Sequence, residues 1–387
     1  MTERVYLDWN ATAPLRPAAR KAFMSALERV GNPSSVHAEG RAARHLVETA
    51  REQVAALLGA PAGAVVFTSG GTEANMLALT PMMGRLKRLL VSAIEHPSVR
   101  SGGRFPADQI EEIPVTPDGI VDLAWLKARL EELHGQGEEA LVSIMHANNE
   151  TGVVQPVAAA AEIAHAAAGT LHVDAIQTAG RIPCSIKELG ADLLTISGHK
   201  LGGPQGSGAL VMSSERFALD EPLIKGGGQE RGHRAGTENV AAIAGFGAAA
   251  QAAGEALAAD GARIAALRER LEAGLRELAP STVIFGAGAE RLPNTTLFAV
   301  PGLKAETALI ALDLAGVSVS SGSACSSGKV APSHVLAAMG VAPDLAGGAI
   351  RVSLGWETRE NALAGFLIAW SKVVSRLSKR EKTGLAA

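Results

Sequence analysis

The chain has 387 residues, 47% of them hydrophobic and 19% charged, with a formal net charge of −3. That length exceeds what one small core uses, so a large domain with a smaller companion is expected. The weak net charge gives no general attraction to nucleic acid or to anionic membranes, so neither is expected as a partner.

Apolar runs of strand type alternate with helical patterns along the first half. Helical stretches at 39–58, 72–84, 122–133 and 157–168 are interleaved with strands at 65–68, 89–93, 141–145, 171–173 and 193–196. The strands are apolar on both faces, and the alternation predicts a mainly parallel sheet covered by helices on both sides. From about residue 240 the texture changes. A long alanine-rich helical region at 238–278 leads to short strands near 282–286, 295–300 and 316–319, then to two more helical patterns. The expected organisation is a large domain at 13–255, with 1–12 and 256–387 forming a smaller α+β domain. The alanine-rich run 157–169 is broken by Glu162 and His165, so no uninterrupted bilayer span is expected. Two cysteines cannot build a disulfide framework, and Met1 to Tyr6 lacks the basic-then-apolar profile of a leader. A cytoplasmic protein is the expectation.

Chemistry-bearing residues gather at the carboxyl ends of the predicted strands, where open α/β sheets bind ligands. Lys200 ends Ser197-Gly198-His199-Lys200 and opens onto the glycine-rich stretch Gly202 to Gly208. Lysine is seldom buried without a function, and desolvation disfavours its charge and makes the amine nucleophilic. Asp174 ends the strand before it. A lysine able to form a Schiff base and an aspartate able to pair with a pyridinium nitrogen are what pyridoxal phosphate (PLP) requires of a protein. A buried ion pair tying two strands together is the competing reading of these two residues alone.

Other motifs add to the first alternative. Thr68-Ser69-Gly70-Gly71-Thr72-Glu73-Ala74-Asn75 joins a strand to a helix, and its glycines and helix N-terminus suit a phosphate. His96 in Glu95-His96-Pro97 follows another strand, placed either to cap a helix or to face a flat ring. Asn148-Asn149-Glu150-Thr151-Gly152 forms a turn or orients a ligand oxygen. Cys325 sits among small residues in Ser320-Ser321-Gly322-Ser323-Ala324-Cys325-Ser326-Ser327-Gly328, as expected of a mobile loop presenting a thiol, with an incidental surface thiol as the alternative. Cys184, in Ile182-Pro183-Cys184-Ser185-Ile186, reads as a small buried hydrophobe.

Taken together these segments resemble the cysteine desulfurases of the NifS/IscS type, a branch of the class V aminotransferases. The resemblance also covers Tyr6-Leu7-Asp8 with Asn10-Ala11-Thr12, Gly31 to Ser35, His146 to Gly152, Gln229 to Gly232, Arg234 to Thr237 and Arg351 to Gly355. Trp9 and Pro14 depart from the more usual polar residues. The Ser-Ser-Gly-Ser-Ala-Cys form is similar to that of the branch with a long active-site loop.

The resemblance implies a fold type I PLP-dependent transferase with a mainly parallel seven-stranded sheet. It implies that Lys200 carries PLP, Asp174 pairs with the pyridine nitrogen, and His96 stacks on the ring. Asn149 and Gln177 would bond the phenolic oxygen and its surroundings. Gly71, Thr72, Ser197 and His199 would hold the phosphate, with Thr237 supplied by the other subunit of a homodimer. Asn32 and Arg351 would hold the carboxylate of L-cysteine, an Arg fork being suited to it. Cys325 would take the sulfur as a persulfide, leaving L-alanine. It would then pass the sulfur to an acceptor such as an iron–sulfur scaffold protein, with a transient cluster contact at Cys325 as its only metal role. A selenocysteine lyase, another PLP enzyme of the fold, or a non-catalytic scaffold are the alternatives. The presence of both Lys200 and Cys325 argues against the last.

Overall fold

The computed structural model describes residues 4–82, 85–215, 221–322 and 332–384. A seven-stranded sheet lies at the centre, in the order Val65–Thr68, Gly208–Met212, Leu193–Ser197, Thr170–Asp174, Glu139–Ser143, Leu86–Ser92, Ile110–Ile113. Only Gly208–Met212 runs against its neighbours; the remaining pairs are parallel.

Two of the seven strands lie outside the apolar runs read from the sequence. Ile110–Ile113 carries Glu111 and Glu112 and lies at the sheet edge, where charge discourages pairing with another chain. Arg129 holds Glu111 from the next helix, at 2.7 and 2.8 Å. Gly208–Met212 begins inside the glycine-rich stretch that the sequence presents as loop. The helix expected at 72–84 is shorter, Gly71–Ala78, because Pro81 has no N–H to continue it.

Alternate residues of the sheet face two different packings. Val142, Leu171, Val173, Leu194 and Ile196 join a core with the helices Ala38–Leu58, Leu123–Gly135, Val157–Ala166 and the first part of Val240–Leu278. On the opposite face Leu89, Val91, Leu141 and Leu210 pack against the helix Gly71–Ala78. Toward the strands' carboxyl ends that second face turns polar, with Ser143, His172, Asp174 and Thr195 all buried. Burial of polar groups is tolerated only where each is hydrogen-bonded, and these are.

The helix Val240–Leu278 runs past residue 255 without interruption. By length and composition it alone among the described helices could cross a bilayer, which the sequence reading did not anticipate; more than half of its most apolar window is buried in the protein. Its glycines explain the composition. A Cβ on Gly247 would lie 2.4 Å from the Ala50 Cα, so small residues let this helix approach Ala38–Leu58 closely. Its later residues Leu267, Leu271 and Leu275 enter a second core with Leu7, Phe298, Ile350, Val352 and Trp370. That core covers an antiparallel sheet ordered Ser320–Ser321, Ile350–Ser353, Thr295–Ala299, Val283–Ile284. Val5–Tyr6 pairs in parallel with Val317–Ser318 beside it.

The tightest backbone approach in the large sheet is at Gly208. A Cβ there would lie 2.5 Å from the Gly70 carbonyl carbon, with no flexible side chain to yield. Gly208→Ala should therefore cost about 1–3 kcal/mol in urea denaturation. Gly135→Ala, at a helix end with open space, should cost nothing measurable. Equal stability of the two variants would contradict this packing account.

Candidate active site

Nine of the predicted residues line one cleft of about 220 Å³ at the carboxyl ends of the parallel strands: Gly71, Thr72, His96, Asn149, Asp174, Gln177, Ser197, His199 and Lys200. Arg351 reaches its edge, donating to the Asn149 carbonyl at 3.0 Å and to the Asp8 carboxylate at 2.8 Å. Asn32 and Thr237 are exposed and do not line the cleft of the single chain. Cys325 lies outside the described residues. Cys184 is buried, and burial pushes its thiol up to about 12.

Lys200 follows its strand on a single 3₁₀ turn, Gly198–Lys200. Its Nζ donates to the carbonyls of Asn10 at 2.5 Å and Ala11 at 2.9 Å. Asp174 accepts from Ile176 N–H and from Asn75 Nδ2, both at 2.9 Å. Burial nonetheless raises its carboxyl above the ordinary value, against the pull of those bonds and of His96 and Lys200. A cation placed against it would restore the charged form.

One directed chain of hydrogen bonds supports this pair. Thr195 donates its hydroxyl to Asn75 Oδ1 at 2.5 Å, so it accepts from His172 Nε2 at 3.1 Å. His172 Nδ1 then accepts from Ser143 at 2.8 Å. Asn75 passes the polarity onward, donating both to Asp174 and to Ser98 Oγ at 2.9 Å. Ser98 therefore points its own hydrogen at His96 Nδ1, 2.8 Å away, and its backbone N–H adds a second bond at 3.1 Å. The neutral His96 thus carries its proton on Nε2. His96 caps the helix Pro97–Arg100, the first of its two readings, and it also lines the cleft. Burial lowers its pKa.

The adjacent amides divide their work. Asn148 makes the turn, its Oδ1 accepting from the N–H groups of Glu150 and Thr151 at 2.9 Å each. Asn149 lines the cleft. Four residues given no role by the sequence reading prove structurally central. Asn75 joins Asp174 to His96. Asn10 accepts from Arg181 and Asn294 and donates to Thr295. Arg181 braces Gln177 and the Lys200 carbonyl, and burial with the Arg351 charge lowers it to about 9, still cationic at neutral pH. Glu95, wholly buried, accepts from Met145 N–H and leaves Oε2 without a partner among the described residues; burial, then the Asp174 charge, raise its carboxyl well above the ordinary value. Asn75, Asn10 and Glu95 lie inside motifs that carried the resemblance; Arg181 had no signal.

The donor set fits a flat cofactor with an anionic tail. A Cβ on Gly71 would lie 2.4 Å from Ile176 Cδ1, so glycine is needed for this helix start to pack there, and Gly71 and Thr72 line the cleft with Ser197 and His199 beside them, where a helix N-terminus suits an anion. Burial, then the Lys200 and Arg181 charges, lower His199 to about 4, leaving a neutral donor or acceptor there.

This sheet, with its lysine and aspartate at adjoining strand ends and a second α+β unit, is the fold type I architecture of PLP-dependent transferases. The aminotransferase class V family model matches residues 5–365. The cysteine desulfurase of Cereibacter sphaeroides is 42% identical over 366 residues, covering 92% of each chain. Cysteine desulfurase IscS of Dictyoglomus turgidum is 40% identical, covering 97% of this chain and 96% of its own. The X-ray structure of a NifS-like protein from Rickettsia africae superposes with a TM-score of 0.87 at 39% identity, covering 96% of this chain and 100% of that one. The chain belongs to the class V aminotransferase family and, within it, to the cysteine desulfurases of the NifS/IscS type.

The buried chain gives a pH test. Burial pushes His172 down to about 3, whereas an unfolded histidine titrates near 6.5. The unfolded state therefore binds the extra proton, and stability falls as pH drops from about 6.5 toward 3, by about 1.4 kcal/mol per unit. His172→Gln should remove one proton from that slope, read from urea denaturation between pH 7 and 5. An unchanged slope would show that His172 is charged in the native protein.

Proposed function

We propose that this cleft binds PLP and L-cysteine and, with Cys325, releases L-alanine while the sulfur passes to Cys325 as a persulfide. The convergence of Lys200 and Asp174 on one cleft that the helix start at Gly71 and Thr72 also lines carries this reading, together with the full-length likeness to cysteine desulfurases. When bound, PLP supplies an electron sink conjugated to the substrate's amino carbon.

The chain's own residues divide the remaining work. Lys200 would hold the cofactor through its amine, and the same Nζ, when free, would take the Cα proton of the substrate. Asp174, its orientation fixed by Asn75 and Ile176, would hold a proton on the pyridine nitrogen. His96 covers the ring and carries its own proton on Nε2. Asn149 and Gln177 orient the phenolic oxygen and its neighbourhood. Gly71, Thr72, Ser197 and His199 hold the phosphate, and Thr237 from a second copy of the chain completes that set. Arg351 and Asn32 hold the substrate carboxylate. The Cys325 thiolate then attacks the substrate sulfur: an S–S bond forms as the substrate's C–S bond breaks, and its electron pair stays on the carbon fragment that becomes alanine.

The working form is a cytoplasmic homodimer that passes its persulfide to an acceptor protein, such as an iron–sulfur scaffold. Cys325 touches the nascent cluster only in passing. Among the described residues no cluster of His, Cys, Asp and Glu has the makings of a metal site.

Lys200→Ala should lower alanine formation by at least about 10³-fold. Cys325→Ala should still bind PLP and L-cysteine but form no persulfide. Cys184→Ala should keep its turnover and lose about 1–2 kcal/mol of stability from a small cavity. Alanine formation is followed in each purified variant; an active Cys325→Ala beside an inactive Cys184→Ala would reverse the roles of the two thiols.

A further inference from the structure

The stretch carrying Cys325 leaves and re-enters the described structure at two points that meet. It leaves after Gly322, just beyond the strand Ser320–Ser321, whose Ser320 pairs with Arg351 and Ser321 with Ile350. It re-enters at Ser333, which caps the helix His334–Ala338 by accepting from Leu336 N–H at 3.1 Å. Ser333 Oγ also donates to Glu150 Oε2 at 2.6 Å. A Cβ on Gly322 would lie 2.6 Å from that same oxygen.

Glu150 itself is almost wholly buried, and its main chain is fixed. Asn148 Oδ1 accepts its N–H at 2.9 Å, while Asn148 Nδ2 donates to the Ile94 carbonyl at 2.9 Å. The preceding Asn149 carbonyl accepts from Arg351. On the re-entry side, His334 Nε2 donates to the Glu95 carbonyl at 2.9 Å, next to His96. The carboxylate therefore adjoins both ends of that stretch, from a turn whose Asn149 carbonyl is held by Arg351 and whose Asn148 is tied to Ile94.

We propose that Glu150 is a positioning residue for sulfur transfer: its buried side chain holds the departure point, Gly322, and the re-entry point, Ser333, of the Cys325-bearing stretch at one place beside the cleft. This rests on the reading of Cys325 as the sulfur acceptor. It requires glycine at 322, where any side chain would displace the carboxylate. It requires an acceptor at 150 rather than a charge, because the Ser333 hydroxyl donates to a carboxylate or to an amide oxygen alike.

The test uses the PLP-loaded enzyme and three readouts. These are L-cysteine affinity from the cofactor's absorbance, single-turnover alanine release, and the rate of Cys325 alkylation by iodoacetamide followed by mass spectrometry. Cys184, buried with its thiol pushed up to about 12, does not compete for the reagent. Glu150→Ala should slow alanine release by at least about tenfold, because misplacing a reacting group by an ångström costs on that order or more. L-cysteine affinity should stay within about twofold, a split that marks lost positioning rather than lost binding. Alkylation of Cys325 should be at least about threefold faster once its anchor points are released. Glu150→Gln should recover most of what Glu150→Ala loses, and Ser333→Ala should follow Glu150→Ala in direction.

Should Glu150→Ala fail to fold, Gly322 keeps the proposal testable. Gly322→Ala should slow alanine release beside Glu150, but should add no further loss beside Glu150→Asp, whose shorter side chain makes room. Unchanged alanine release in Glu150→Ala, loss of L-cysteine affinity in step with rate, or equal cost of Gly322→Ala in both backgrounds would each overturn it. The two readings fail separately. Alanine release by Cys325→Ala would remove the acceptor reading, whereas an inactive Cys325→Ala with normal Glu150 and Gly322 variants would remove only this one.

Discussion

The carboxylate of Asp174, buried at the end of a parallel strand, is the constraint on which the rest of the site depends. An ionised carboxylate out of water is stable only if its oxygens are occupied and a cation stands near it. The fold supplies the first through Ile176 N–H and Asn75; the second is left to a cation placed in the cleft, because burial raises the carboxyl even against the pull of His96 and Lys200. Because Asn75 has one carbonyl and one amino end, its orientation forces a direction on every bond connected to it. Thr195, His172 and Ser143 must point one way, and Ser98 must point toward His96. The tautomer of His96 is therefore decided some distance away, in the polar face of the sheet. A Leu or Val at 172 or 195 would pack as well and would leave Asn75 free to turn over.

Close backbone approach is the second requirement. Gly71 lies against Ile176 and Ser197, and Gly208 lies against Gly70, so the strand ends converge without side chains between them. The same economy recurs in the long helix, where Gly245 meets Pro204 and Gly247 meets Ala50. Glycine and alanine there read as a weak apolar pattern, yet they bring the helix close enough to hold the glycine-rich stretch that follows Lys200. The composition that resembles a bilayer span is a packing device at this position.

What the sequence made legible follows from these physics. Long apolar runs bounded by turn residues, such as those ending at Asp174 and Ser197, declare buried parallel strands, and their carboxyl ends point to the site. Ile110–Ile113 stayed hidden because an edge strand carries charge. Gly208–Met212 stayed hidden because its first residue belongs to a turn-like glycine run. Within the site, residues able to touch a ligand were legible from their chemistry at a strand end. A residue that touches only other residues, such as Arg181, was not, since an arginine in a turn carries no local sign of what it braces. Asn32 and Thr237 mark a different boundary: one chain alone leaves them exposed, away from the cleft.

Lys200 shows how the two cores cooperate. Its main chain follows directly on a strand of the seven-stranded sheet, but its amine is held by the carbonyls of Asn10 and Ala11. Asn10 is in turn fixed from the other unit: its N–H donates to Ser353 Oγ at 2.9 Å, its Nδ2 to Thr295 Oγ1 at 2.9 Å, and its Oδ1 accepts from Asn294 at 3.0 Å. Arg181 closes the loop by donating to both Asn10 Oδ1 and the Lys200 carbonyl. The amine is thus positioned by the antiparallel sheet although it hangs from the parallel one. Arg351 sits on that same antiparallel sheet and reaches the same cleft, so the lysine and the guanidinium share one frame of reference. Relative movement of the two units would displace the amine from its carbonyls and Arg351 from Asn149 together, which ties the geometry of proton transfer to the geometry of carboxylate binding.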